Sequence, residues 1–265
     1  NYILTTMESE NKSFEDVLND AKSKGFTSDA EAKLDIGGYD AAHKLTLLTS
    51  ISFGSQIDFE LNQVEGIDGI TIEDINFVKQ LGYKIKLISE CCLIDNKIYS
   101  STKPKLMPIN NPMANANGAL NALNIETDQL ENLYLEGEGA GGKPTASSVL
   151  SDIHEISNRG LSKSLGFSYS KLKKFHKFNA SKLESKYYLR LRVKDQPGVL
   201  SKITSYFKDG DISIEKILQL PDTKNKNHPV PIIITTHNVK KSKLIKAVAR
   251  IEKQKFVMDK IVSIP

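Results

Sequence analysis

Asp35, Asp40 and Lys44 form the tightest ionisable constellation in the chain. Asp40 and Lys44 are four residues apart, so on a helix they share one face. Taken alone this is an exposed ion pair worth about 0.2 to 0.5 kcal/mol. Its company points further. Asp29, Glu31 and Asp35 lead straight into the same helix, so several carboxylates and one ammonium can converge on a small zwitterion. A lysine so placed can move a proton when its neighbours tune its pKa. Gly137, Gly139 and Gly142 satisfy G-x-G-x-x-G between an expected strand and an expected helix, where backbone N–H groups can meet an anion. The spacing leaves three readings open: a tight packing turn, an accessory wall of a cofactor site, and a self-contained dinucleotide fold. The last is disfavoured because the acidic residue expected about 20 residues on is missing. Asp195-Gln-Pro-Gly-Val-Leu200 lies between a strand and a helix, and is either a plain connection or a helix N-terminus to which a small amino acid docks its carboxylate. His43, His154, His176, His228 and His237 have no zinc-ligand spacing, and no G-x-S-x-G elbow occurs, so neither a metal site nor a serine hydrolase is expected.

The elements that must position these residues can be read from periodicity. Phe14, Val17, Leu18 and Ala21 predict a helix over 14–24, stopped by Gly25. Ala41, Leu45, Leu48 and Ile51 predict a second from Asp40 until Gly54, with an acidic loop, 27–38, between the two. Thr71, followed by Glu73 and Asp74, opens a short helix to Leu81. Strands are expected over 84–94, 97–101, about 117–125 and near 130–135, the last feeding the glycine run, with a helix from about Pro144 to Ile156 after it. Residues 161–186, rich in Lys, Ser and Asn, read as a solvated basic linker. From Tyr187 the order is β-α-β-β-α-β, the ferredoxin-like plan, beginning with a half-exposed strand and ending with one over 256–264.

With 265 residues, the chain has room for about two domains. Its composition, 39 % hydrophobic and 26 % charged, and a mean hydropathy of −0.32 describe a packed soluble protein. No apolar run is long enough for a membrane span. The net charge of +4 conceals a step: residues 1–160 carry 13 basic against 24 acidic side chains, residues 161–265 carry 23 against 8. The basic half has few arginines and the chain has no Trp, so nucleic-acid binding is not expected. Cys91 and Cys92, adjacent on one strand, cannot build a disulfide framework, which fits a reducing cytoplasm. The chain begins at Asn1 without an initiator Met or a secretory signal, and reads as cut from something longer.

Taken in order, Asn1-Tyr-Ile-Leu4, Leu34-Asp-Ile-Gly-Gly-Tyr-Asp-Ala-Ala-His-Lys44, Asn111-Pro-Met, Gly118, Asn121-Ala and Gly137-Glu-Gly-Ala-Gly-Gly-Lys-Pro-Thr-Ala-Ser147 resemble the homoserine dehydrogenase family. Residues 187–265 look like an ACT domain, an amino-acid-sensing module. The resemblance implies an α+β chain with a mixed-sheet catalytic domain over 1–160, the linker over 161–186 and a regulatory domain over 187–265. It implies an NAD- or NADP-dependent oxidoreductase that interconverts aspartate semialdehyde and homoserine in threonine and methionine biosynthesis. Lys44 would take part in proton transfer, and Asp40 and Asp35 would bind substrate. The family's substrate-binding glutamate falls at Asp29, with Glu31 as the other choice. Gly137, Gly139, Ala140, Gly141 and Thr145 would line the cofactor, which the family holds mostly with a nucleotide-binding domain preceding Asn1; without it the chain is expected to be inert. Asp195, Pro197, Gly198, Val199 and Leu200 would serve regulation, with threonine as effector, in a homodimer or homotetramer. The competing reading is a non-catalytic module that senses threonine.

Overall fold

The computed structural model describes residues 1–139, 141–159, 166–219 and 229–265. They form two compact units, Asn1–Phe178 and Asn179–Pro265.

The first unit opens with α1 (Tyr2–Glu10) and α2 (Phe14–Ser23). Helix α1 was not expected, because Thr5 and Thr6 weaken its propensity; burial of Ile3, Leu4 and Met7 supplies what the local sequence does not. Helix α2 is capped by Ser13, whose Oγ accepts from the Asp16 N–H. The acidic loop contains a further short helix, α3 (Ala32–Ile36), followed at once by α4 (Tyr39–Phe53). Strand β1 (Asn62–Val64) precedes α5 (Ile72–Gln80), which Thr71 and Asp74 close with a reciprocal capping box.

Strands β2 (Tyr83–Ile94) and β3 (Lys97–Pro108) form a long antiparallel hairpin, with β1 parallel to β3. Its two-residue loop, Asp95–Asn96, has both φ angles positive (48° and 57°), matching the strand twist. Strand β3 continues seven residues past the expected end at Ser101. Beyond Thr102 it no longer has β1 beside it, and on such an edge Pro104 is tolerated. Strands β4 (Leu120–Glu126) and β5 (Asn132–Glu138) make a separate antiparallel pair, and α6 (Gly142–Arg159) follows.

Helix α4 lies where expected, but its buried face is rotated from the predicted one. Ala42, Leu45, Thr46, Thr49 and Ser50 face inward, while Leu48 and Ile51 are exposed. Three hydroxyls make this possible: Thr46, Thr49 and Ser50 donate to the carbonyls of Ala42, Leu45 and Thr46, so their polar atoms are satisfied within the helix itself.

The stretch expected as solvated linker is divided between the units. Leu172 is buried, Lys173 bridges to Ser55, and β6 (His176–Lys177) runs parallel to β3, with the Lys177 Nζ donating to the Glu60 carbonyl at 2.7 Å. Pairing with β3 and burial of Leu172 give these residues the partners their composition did not announce.

In the second unit β7 (Glu184–Ser185) precedes β8 (Tyr188–Val193), α7 (Val199–Asp209), β9 (Ile214–Gln219), β10 (Val230–Thr236), β11 (Val239–Lys240), α8 (Lys241–Glu252) and β12 (Val262–Ile264). The sheet order β12-β8-β10-β9, antiparallel throughout, is ferredoxin-like. Leu189, Leu191 and Val193 meet Ile203, Phe207, Ile232, Ile234, Leu244 and Ile251 in one core. Strand β8 is not half-exposed: Tyr188 and Arg190, on its other face, are buried too. The last strand is shorter than predicted; Val257 makes only an isolated bridge to Val193 before the chain turns into β12. No helix among the described residues is long and apolar enough to cross a membrane.

Candidate functional site

Two glycines set the start of α4 and so the position of Asp40. At Gly37 a Cβ would fall 2.8 Å from the Lys33 carbonyl oxygen and against the Tyr39 ring. Gly38, the N-cap of α4, holds φ +79°, a left-handed conformation that glycine takes without penalty. Together they let α3 end and α4 begin with no spacer. Asp40 then lies in the first turn of α4, and Lys44 Nζ donates to its Oδ2 at 2.6 Å. Both side chains are about half exposed, open to a ligand.

Asp35, at the end of α3, accepts from Thr27 Oγ1 at 2.6 Å. Helix α3, which carries Asp35, packs against α4, which carries Asp40 and Lys44. Asp35 and Lys44 thus lie on adjoining helices. Asp29 turns elsewhere: its carboxylate pairs with Lys22 of α2 at 2.7 Å, which holds it below the usual carboxylate range. Glu31 accepts from Ser28 Oγ at 2.7 Å within its own loop. Neither is brought to Lys44 by any contact among the described residues.

The glycine run makes the expected passage from β5 to α6. Gly137 is opposite Asn121 in the β4–β5 ladder, and the Gly139 N–H donates to the Ala119 carbonyl at 3.2 Å. Gly141 holds φ +118°. Thr145 donates both its N–H and its hydroxyl to the Gly141 carbonyl. Ala140 lies outside the described residues. Gly141, Gly142 and Lys143 are exposed at the head of the 18-residue α6, where the first backbone N–H groups of a helix lack intrahelical acceptors and can meet an anionic or amide group. This donor set fits part of a nicotinamide cofactor. It is no complete dinucleotide fold, since β5 is paired antiparallel with β4 where a Rossmann unit needs a parallel crossover.

One contributor was missed in the sequence. Lys86, on β2, is 4 % exposed, and its Nζ donates to the Ala116 carbonyl (2.7 Å), Asn1 Oδ1 (3.2 Å) and Asn117 Oδ1 (3.4 Å). Its spacing from Lys84 on the strand does not distinguish it; its contacts with the distant Asn1, Ala116 and Asn117 do.

In the second unit the 195–200 turn is split in role. Val199 is buried and Leu200 packs against the core, whereas Asp195, Pro197 and Gly198 are exposed at the head of α7. No group of three or more His, Cys, Asp or Glu arranged to hold a metal ion occurs among the described residues.

Comparison with known proteins agrees with this arrangement. Residues 1–154 match the homoserine dehydrogenase family and residues 187–256 the ACT domain. A homoserine dehydrogenase of Pseudomonas aeruginosa is 34 % identical across all of this chain, which spans 62 % of that protein; one of Bacillus subtilis is 37 % identical over 90 % of the chain, which spans 55 % of it. The crystal structure of a homoserine dehydrogenase from Thiobacillus denitrificans superposes on the whole chain with a TM-score of 0.85 at 35 % identity, the chain covering 61 % of it. Because the family match takes in the Asp40–Lys44 helix, the buried Lys86 and the glycine turn in one continuous segment, the chain belongs to the homoserine dehydrogenase family.

Proposed function

We propose that the protein to which this chain belongs catalyses the NAD- or NADP-dependent interconversion of aspartate semialdehyde and homoserine, on the path to threonine and methionine, in the cytoplasm. The observation that carries this reading is the 2.6 Å contact between Lys44 and Asp40 at the head of α4, with Asp35 on the helix packed beside it. A nicotinamide cofactor supplies the hydride when bound, with Gly137, Gly139, Gly141 and Thr145 along one side of it. Lys44 delivers the proton to the carbonyl oxygen as it gains negative charge, or takes it from the hydroxyl in the reverse direction. Asp40 holds the Lys44 ammonium in place and, with Asp35, receives the substrate's amino and hydroxyl groups. Asp29 and Glu31 remain candidates for the family's glutamate, each needing to leave its present partner.

A wall of glycines on one side is half a clamp, and hydride transfer needs both reactants held at near contact. The 265-residue chain by itself is therefore expected to be inactive, and a complete enzyme, made by placing the nucleotide-binding part of the P. aeruginosa relative ahead of Asn1, to oxidise homoserine. No turnover by a folded complete enzyme would end this reading. The exposed stripe of Val149, Leu150, Ile153 and Ile156 on α6 suits burial against further protein, in a homodimer or homotetramer or against such a domain.

The second unit favours an added regulatory role, because its core is self-contained and the 195–198 turn is left exposed. Threonine is the proposed effector. Calorimetry of this chain against threonine tests it: heat and a raised melting temperature are expected, and neither appearing would remove the sensing role.

A further inference from the structure

Lys86 stands out among the buried charges. Its ammonium is enclosed by three neutral oxygens, and among the described residues no carboxylate pairs with it. A charge buried without a counter-ion costs stability. Burial, and then Lys84, pulls its pKa down to about 8.

What this ammonium holds lies along a continuous path. Asn1 Nδ2 donates to the same Ala116 carbonyl at 2.7 Å and to the Leu120 carbonyl at 2.8 Å. The Gly118 N–H donates to Thr5 Oγ1 at 3.1 Å. One residue on, the Ala119 carbonyl accepts from Gly139 in the glycine turn. At the path's other end, β2, which carries Lys86, packs against α4, the helix of Lys44, and α4 packs against α3, the helix of Asp35. Lys86 thus joins the turn before β4, and through it the glycine turn, to the start of α1 and to β2, the strand against which α4 packs.

We propose that Lys86 is a positioning residue that sets the glycine turn at its working distance from Lys44 and Asp35, without itself touching substrate or cofactor. The proposal rests on the reading of the 137–145 turn as one wall of the cofactor site.

Two measurements test it. In the 265-residue chain, without cofactor, Lys86→Met should speed amide hydrogen exchange about tenfold at Gly118, Leu120 and Gly139, the equivalent of one lost hydrogen bond. The β2–β3 ladder should keep its protection. Unchanged exchange at those three amides, or an equal rise in the ladder, would overturn the proposal. In the complete enzyme Lys86→Arg, which tests the tie should the Met variant not fold, keeps the charge with a group that does not titrate. The charged groups facing Lys86 are Lys84 on β2, Glu8 on α1 and Glu136 on β5. As pH rises through about 8, the wild-type ammonium loses a proton and one of its hydrogen bonds, so the KM for the nicotinamide cofactor should climb with kcat less affected. The Arg variant should hold a flat KM; the same climb in both would overturn the role. Absence of homoserine oxidation by the wild-type complete enzyme would instead sink the functional reading, and the exchange result would stand apart from it.

Discussion

Gly139 and Asn121 are packed so closely that a Cβ on Gly139 would fall 1.8 Å from Asn121 Nδ2 and 2.5 Å from its Cγ. A side chain at this position would therefore have to displace the exposed Asn121 amide on β4. Gly139→Ala should destabilise the first unit by about 0.5 to 1.5 kcal/mol, the order of an off-rotamer side chain, as the Asn121 amide is pushed aside. Asn121→Ala in the same chain should return most of that loss. Denaturant unfolding of the two single variants and the double variant measures the coupling, and additive losses would contradict it.

Lys44 offers a sharp separation of chemistry from stability. Its pair with Asp40 is exposed, so Lys44→Ala should change the unfolding free energy by no more than about 0.5 kcal/mol. In the complete enzyme the same change should lower kcat by about 100-fold or more, the range for loss of a positioned proton donor. Steady-state kinetics with homoserine checks it; an unchanged kcat would refute the role.

Gly38 joins α3 to α4 with φ +79°, and a Cβ there would lie 3.3 Å from the Glu65 carbonyl oxygen. Gly38→Ala should cost about 1 to 2 kcal/mol from the left-handed backbone alone. Because the same residue starts the helix that carries Asp40, KM for homoserine should rise in parallel. Chemical denaturation and kinetics on one variant test both effects.

Acid should weaken the hairpin through Glu90. Burial pushes its carboxyl up, but Lys105 at 2.5 Å and the Tyr99 hydroxyl outweigh burial, and the group lies below its usual value of 4.5. A carboxyl lowered by folding adds stability above its unfolded pKa, and that stability is lost as pH falls through the folded one. The melting-temperature gap between the wild type and Glu90→Gln should therefore be widest near neutrality and close as pH drops below about 4.5. A gap constant from pH 7 to pH 3 would contradict the assignment.

Phe207, 1 % exposed, fills the centre of the second unit's core. Phe207→Ala should cost about 3 to 5 kcal/mol. Because each unit has its own core, amide exchange should accelerate throughout 187–265 and leave the β2–β3 hairpin protected. Equal acceleration in both would show that the units unfold as one.

The sequence by itself determined most of the element order. Regular apolar spacing marked α2, α4, α7 and α8, and the ferredoxin-like order was legible because the regularly spaced apolar residues of its strands and helices meet in a single core. The Asp40–Lys44 pair and the strand-to-helix glycine turn were equally readable, since i,i+4 spacing and the conformational freedom of glycine are local properties.

Only the tertiary structure decided the rest, and each case involves partners distant in the chain. Helix α1 exists because its apolar residues are buried. The inward face of α4 is chosen by hydroxyls that satisfy themselves on their own backbone, a possibility that hydrophobic periodicity does not register. Asp29 and Glu31 were level as candidates for the family's glutamate, and the pairing of Asp29 with Lys22 of α2 is a contact that their spacing does not reveal. The burial of Lys86 was invisible because its acceptors lie 30 or more residues away on other elements. Spacing reports what one helix or strand can present; which charge is buried, and against what, is settled only when segments far apart in sequence meet.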